Sequence, residues 1–269
     1  MKQLLGSAWP AGWLLCACVA LWSPGTPAAA PSKPPAPKPT PQEQTPQGFD
    51  LPGYWVSIVT QNWRFRMVVP GKGEYVEIPL NLAAKQFADA WNAAADEAAG
   101  KQCEAYGAAA IMRVPERLHV SWQDGKTLVV QTDSGMQTRL LHFDAAAGDA
   151  STSENSWQGY SVAHWEMHAA PGGPPAAGQP RKPGYGGMQV MTNHMLPGLL
   201  RKNGVPYSDK AQMSEFWEVN GEPDGDQWLT VTTELQDPEY LQTPFYFTSI
   251  FQKEPDGSKW DPTPCSLTQ

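Results

Sequence analysis

No stretch limits the fold of this chain more than residues 117–143. Three β-rich runs, RLHVSW (117–122), TLVVQT (127–132) and MQTRLLHF (136–143), are separated only by Gln123-Asp124-Gly125-Lys126 and by Asp133-Ser134-Gly135. Asp-Gly between two such runs is a strong hairpin signal, because the favoured two-residue turns need positive φ at their central positions. Strands joined this tightly pair as antiparallel neighbours. The same style of text recurs at 53–60, 63–69, 157–166, 188–194, 212–219, 228–235 and 245–253. About ten short strands in series predict an all-β domain, an antiparallel meander closed into a lipocalin-like barrel or packed as a sandwich.

One segment breaks the pattern. Residues 81–97 (NLAAKQFADAWNAAADE) are alanine-rich; Leu82, Phe87, Ala90 and Trp91 approximate one helical face, and Asn81 is placed to cap it. Residues 171–187 (PGGPPAAGQPRKPGYGG) read as a long loop. Gly53-x-Trp55 is similar to the Gly-x-Trp that opens lipocalin barrels, and a barrel of this size holds one small ligand.

The ends of the chain suggest export. Lys2 precedes a short apolar run, 13–22 (WLLCACVALW), and Ala28-Ala29-Ala30 offers small residues for cleavage. A run of about ten is half of what a membrane span needs, so 1–30 reads as a signal peptide. Leu15-Cys16-Ala17-Cys18 also fits a lipobox, which would anchor the chain to a membrane through Cys18 and in no other way. Residues 31–48 read as a proline-rich linker, with seven prolines in 31–46, leaving 49–269 as one domain.

Charge and cysteine usage narrow the function. The domain carries 16 of the 19 basic and 26 of the 27 acidic side chains, a net charge of about −10. That balance lacks the basic footprint of a nucleic-acid binder. Cys103 and Cys265 are the two cysteines left after the signal, and two cysteines in an exported domain most simply form one disulfide. No G-x-S-x-G elbow, P-loop, dinucleotide fingerprint or C-x-x-C pair occurs in the domain. The sequence implies no cofactor.

Candidate chemistry lies on strand ends. SVAHWEMH (161–168) alternates His164, Glu166 and His168, but residues two apart on a strand are about 6.6 Å apart. The two histidines are then roughly 13 Å apart, too far for both to reach one metal ion, so no metal site is assigned. His194 closes MQVMTNH and is followed by Arg201, Lys202, Asn203-Gly204 and Tyr207. His194 as general base, Arg201 as anion holder and Glu215 as a further acid form the catalytic candidate set. Arg64, Arg66, Arg139 and His142 sit on β-rich runs. They face either solvent or the barrel interior, where an arginine needs a buried partner such as Glu215, Glu218, Glu234 or Asp237. Together with Trp55, His164, Tyr207 and Asp237, these four form the ligand-binding candidates.

The stretches GYWVSIVTQNWRFRM (53–67), Cys103 with Tyr106-Gly107, SWQGYSVAHWE (156–166), TNHMLPGLLRKNGVPYSD (192–209) and DPEYLQTPF (237–245) resemble a widespread family of exported bacterial proteins. The resemblance implies an exported domain and no particular activity. His168 departs from it, in what reads as a local insertion after Trp165-Glu166. The expectation is therefore an exported barrel that binds a small, partly apolar molecule in its interior. The alternative is an acid–base enzyme (isomerase, cyclase, lyase or hydrolase) built on the same barrel.

Overall fold

Apolar and polar residues alternate along each long strand, and the structure, a computed structural model, turns that alternation into a closed wall. It describes residues 38–143, 154–168 and 186–268. The wall strands are β1 (Gly53–Ile58), β2 (Arg117–Trp122), β3 (Thr127–Thr132), β4 (Thr138–His142), β5 (Tyr160–Met167) and β6 (Gly186–Asn193), followed after a hairpin by β9 (Gln212–Gly221), β10 (Gln227–Gln236) and β11 (Phe245–Glu254). They close in the order β1-β11-β10-β9-β6-β5-β4-β3-β2, while β7 (Gly198–Arg201) and β8 (Val205–Tyr207) pair as a separate hairpin. Closure leaves no free sheet edge. The predicted Asp-Gly hairpin joins β2 to β3, with Gly125 at φ +75°.

The interior is layered. Along β9 the buried positions are Met213, Glu215 and Trp217; along β10 they are Leu235, Thr233, Val231 and Leu229; along β11 they are Phe245, Phe247, Ser249, Phe251 and Glu254. One end of the barrel is therefore apolar, with Trp55, Leu118, Val130, Trp217, Val231 and Phe251 in a single contiguous cluster. Each large side chain buried there contributes about 1.5–3 kcal/mol. A polar layer follows, containing Arg139, Ser161, Thr192 and Glu215. A second apolar cluster, with Met213, Leu235, Phe245 and Phe247, joins the barrel to Leu80, Val205 and Tyr207.

Several expectations change. The run 63–69 is not a strand: α1 spans Trp63–Met67, entered through Asn62 in the left-handed region at φ 55°. The alternation Trp-Arg-Phe-Arg-Met suits either structure, and β1 already pairs with β11 and β2, so the closed barrel offers this segment no edge. The meander is not wholly antiparallel, because β4 and β5 run parallel at Leu141↔Ser161 and His142↔Val162. The helix expected over 81–97 is two, α2 (Leu82–Ala90) and α3 (Ala93–Ala98). Asn81 caps the first, as expected, accepting from Ala84 N at 2.9 Å, and Asn92 starts the second in the same way. A short helix α4 (Ala108–Ile111) was not foreseen.

The end of the expected linker packs on the barrel. Gln42 N donates to Gly125 O at 3.1 Å, Trp165 Nε1 donates to Pro41 O at 2.8 Å, and Phe49 is buried. The compact unit begins at Pro39. The expected signal peptide and Cys18 lie outside the described residues, as does most of the loop 171–187. Among the described residues no helix is long and apolar enough to cross a membrane.

Candidate functional site

The stretch between α4 and β2 reads Met112-Arg113-Val114-Pro115-Glu116. Pro115 disfavours helix at Val114, so the chain leaves α4 through a turn, with Arg113 N and Val114 N donating to Ala110 O and Ile111 O, both at 2.9 Å. Arg113 is buried: it is 6 % exposed, and its guanidinium lies 5.1 Å from the ring centres of both Phe245 and Phe247. Its Nη1 is buried without a hydrogen bond, and no carboxylate pairs with it among the described residues. Burial, followed by the nearby Arg201 and Arg66, pushes its pKa down to about 9, against a smaller opposing effect of Glu77. It therefore remains charged at neutral pH.

Arg201, at the end of β7, is likewise 6 % exposed. Its Nη1 donates to Val76 O at 2.9 Å and its Nη2 to Glu77 Oε2 at 3.2 Å. Its guanidinium lies 4.9 Å from the centre of the Phe65 ring, and its Nε is buried without a partner. Glu77 itself has φ 79°, a conformation uncommon outside glycine, so the backbone is held in place around this ion pair. Arg66, on α1, is fixed by Nε donating to Arg113 O at 2.8 Å, and burial lowers its pKa. Lys202 Nζ donates to Tyr106 Oη at 2.7 Å and sits over the same ring.

These four cations line one cleft of about 380 Å³. Its remaining wall is largely apolar: Phe65, Met67, Val68 and Val69 on one side, Ala110 and Leu200 on the other. Met67 and Val68 are also more than half exposed, so the rim itself is apolar. Thr263 and Pro264 complete the wall. They are held by the Cys103–Cys265 disulfide and by Tyr106 Oη donating to Ser266 O at 3.1 Å. The expected disulfide is thus present and pins the C-terminal strap beside the cleft.

A second cleft, of about 310 Å³, shares Pro115, Ser134 and Thr263 with the first. It is lined by Glu116, Arg117 and Asp133. Both carboxyl oxygens of Glu116 are buried without hydrogen bonds. Burial, reinforced by Asp133, pushes its pKa well above the usual carboxylate range, against the opposing pull of Arg139 and Arg66.

The residues singled out in the sequence distribute differently. Arg139 takes the interior alternative with one of the four partners offered: its Nη2 and Nη1 donate to Glu215 at 2.7 and 3.2 Å, with both side chains at most 1 % exposed. Arg139 Nη2 also reaches Thr192 Oγ1 at 3.3 Å. Glu215 is therefore committed to Arg139, Arg201 to Glu77, and His194 Nδ1 to Asn193 Oδ1 at 2.8 Å. No bond joins His194, Arg201 and Glu215, and only Arg201 of the three lines the cationic cleft.

Asp237 accepts from Ser208 N and Oγ, both at 2.7 Å, and so closes the chain after β8. Tyr207 is buried, with its hydroxyl unpaired and its pKa raised by burial and by Glu104. Trp55 is buried, and its Nε1 donates to Leu51 O. Arg64 makes an exposed pair with Glu74. His142 stacks on Tyr160 at 5.0 Å, and burial lowers its pKa. His164 and Glu166 face each other at 3.6 Å, both about half exposed. His168 is exposed beyond the end of β5, and no metal-binding group of acidic, histidine or cysteine side chains occurs among the described residues.

Arg113 and Glu116 went unnoticed in the sequence. The signal was present: a single arginine in AAAIMRVP, where every neighbour is apolar or proline.

Fold and site define a closed β-barrel protein with a cationic, apolar-walled cleft at one barrel end. Comparison of the chain with protein-family models, with curated proteins and with solved structures finds no match.

Proposed function

We propose that this chain is an exported, disulfide-closed barrel that binds a small, partly apolar molecule. The supporting observation is the contrast between a filled barrel and an open cleft. Trp55, Trp217 and Phe251 occupy the barrel interior with no exposed surface, whereas the cleft beside α1 offers about 380 Å³ between apolar walls. That volume lies within the range of small-molecule sites, which combine mostly apolar walls with a few placed polar groups. The ligand is therefore assigned to the barrel end and not to the barrel axis.

Native mass spectrometry of the protein purified from its own host tests this. A retained organic mass, displaced by the neutral apolar probe N-phenyl-1-naphthylamine with a rise in probe fluorescence, is the expected result. No retained mass together with no probe binding would refute it.

A further inference from the structure

The ligand's charge can be read from what the cleft lacks. A buried arginine is normally paired, because an uncompensated charge at low dielectric is costly. Arg139 follows the rule with Glu215, and Arg201 follows it with Glu77. Arg113 does not: it is as buried as Arg201, lines the cleft, has two phenyl faces beneath it, and forms no ion pair among the described residues. Arg66 also lines the cleft; among the described residues, Glu77 acts on Arg113 and Arg201, and Glu116 acts on Arg66. Glu116, the other acid near Arg66, is held toward its neutral form by burial. A protein whose net charge is −8 thus gathers an excess of positive charge in one apolar-walled cleft.

We propose that the cleft takes a molecule with a carboxylate head on an apolar body, the carboxylate lying against the Arg113 and Arg201 guanidinium groups and the body along Phe65, Val68 and Leu200. This rests on the cleft being the binding site. Two buried nitrogens without partners, Arg113 Nη1 and Arg201 Nε, supply one N–H each for the two carboxylate oxygens. Guanidinium groups suit this role because they are planar, permanently charged at neutral pH and only weakly hydrated. The Phe65 ring under Arg201 and the Phe245 and Phe247 rings under Arg113 hold both groups in place. The apolar rim at Met67 and Val68 gives the body its way in.

Three probes of one chain length test the assignment by calorimetry: decanoate, decanol and decyltrimethylammonium. In the unaltered protein decanoate is expected to bind about 10- to 100-fold tighter than decanol, the factor a charge-assisted hydrogen bond confers, with the cationic probe weakest. In Arg113→Met, which keeps an apolar contact over Phe245 and Phe247, decanoate and decanol should bind within about twofold of each other. Val68→Glu puts a carboxylate on an exposed rim position, where folding is not at stake. Both probes lose the Val68 contact but only decanoate meets the new charge, so its advantage over decanol should narrow several-fold.

Equal binding of decanoate and decanol to the unaltered protein would overturn the carboxylate assignment while leaving the cleft as an apolar site. Binding of none of the three probes would overturn the cleft itself. A full decanoate preference retained in Arg113→Met, or unmoved by Val68→Glu, would show that the anion sits elsewhere.

Discussion

Replacing Arg139 with Met isolates the most deeply buried charge pair in the barrel. The two side chains are 1 % and 0 % exposed and form a two-pronged contact at 2.7 and 3.2 Å. Removing the arginine leaves Glu215 enclosed by Met213, Trp217 and Thr233, with no access to water. Breaking one side of such a pair costs about 3–5 kcal/mol, because a buried carboxylate is left uncompensated. With a urea slope of roughly 2–3 kcal/mol/M for a domain of this size, the unfolding midpoint should fall by roughly 1–2.5 M. The melting temperature should fall by roughly 6–20 °C.

The orphaned Glu215 then avoids the penalty by taking up a proton, so its pKa in the folded variant rises above its unfolded value. A group raised in this sense leaves stability intact below the unfolded pKa and removes it as pH climbs toward the folded one. The variant should accordingly lose more stability at pH 8 than at pH 5. The double variant R139M/E215L removes both charges and should recover most of the loss, since apolar replacement of a whole buried pair is often neutral or stabilising. Urea titrations followed by tryptophan fluorescence provide the measurement. A loss below about 1 kcal/mol in Arg139→Met, or a double variant no better than the single one, would show that the polar layer does not depend on this pair.

Two further outcomes follow from the same reasoning. Reduction of Cys103–Cys265, or the pair of Cys→Ser changes, opens a loop spanning 162 residues, and on the chain-entropy account lowers stability by about 5 kcal/mol, read as the shift in urea midpoint with and without reductant. Glu116→Gln should flatten the pH dependence of stability: the raised Glu116 pKa makes stability decline as pH rises above the unfolded value near 4.3. Glu104, raised to about 7 chiefly by burial, acts in the same direction up to that pH. The difference between the two midpoints at pH 5, 7 and 9 therefore reports Glu116 alone, and identical slopes would refute it.

Local residues determined much of the architecture. The runs at 117–122 and 127–132, the Asp-Gly turn between them and the Asn81 cap can each be read from a few neighbours, because each obeys short-range rules of turn or cap chemistry, and the Cys103–Cys265 pairing follows from there being only two cysteines in the domain. The segment 63–69 could not be. Its alternation suits helix and strand alike, and the choice fell to a closed sheet with no edge left for it. The parallel contact of β4 with β5 was equally hidden, since the chain between them gives no sign of which way it returns.

The candidate site divides along the same line. Arg139 with Glu215 was legible as a rule, that an interior arginine needs a carboxylate, but 76 residues separate the partners and only the barrel register selects one glutamate among several. Arg201 stood out by its company in the sequence, yet its true neighbours are Glu77, Phe65 and Arg113, brought from three other segments. Thus the sequence by itself determined an all-β, disulfide-closed domain, because periodicity is local and the cysteine count leaves only one possible pair. Only the tertiary structure decided that the barrel interior is filled and that the open, cationic cleft lies at its end. Burial and charge compensation are properties of neighbours in space, and the chain order does not contain them.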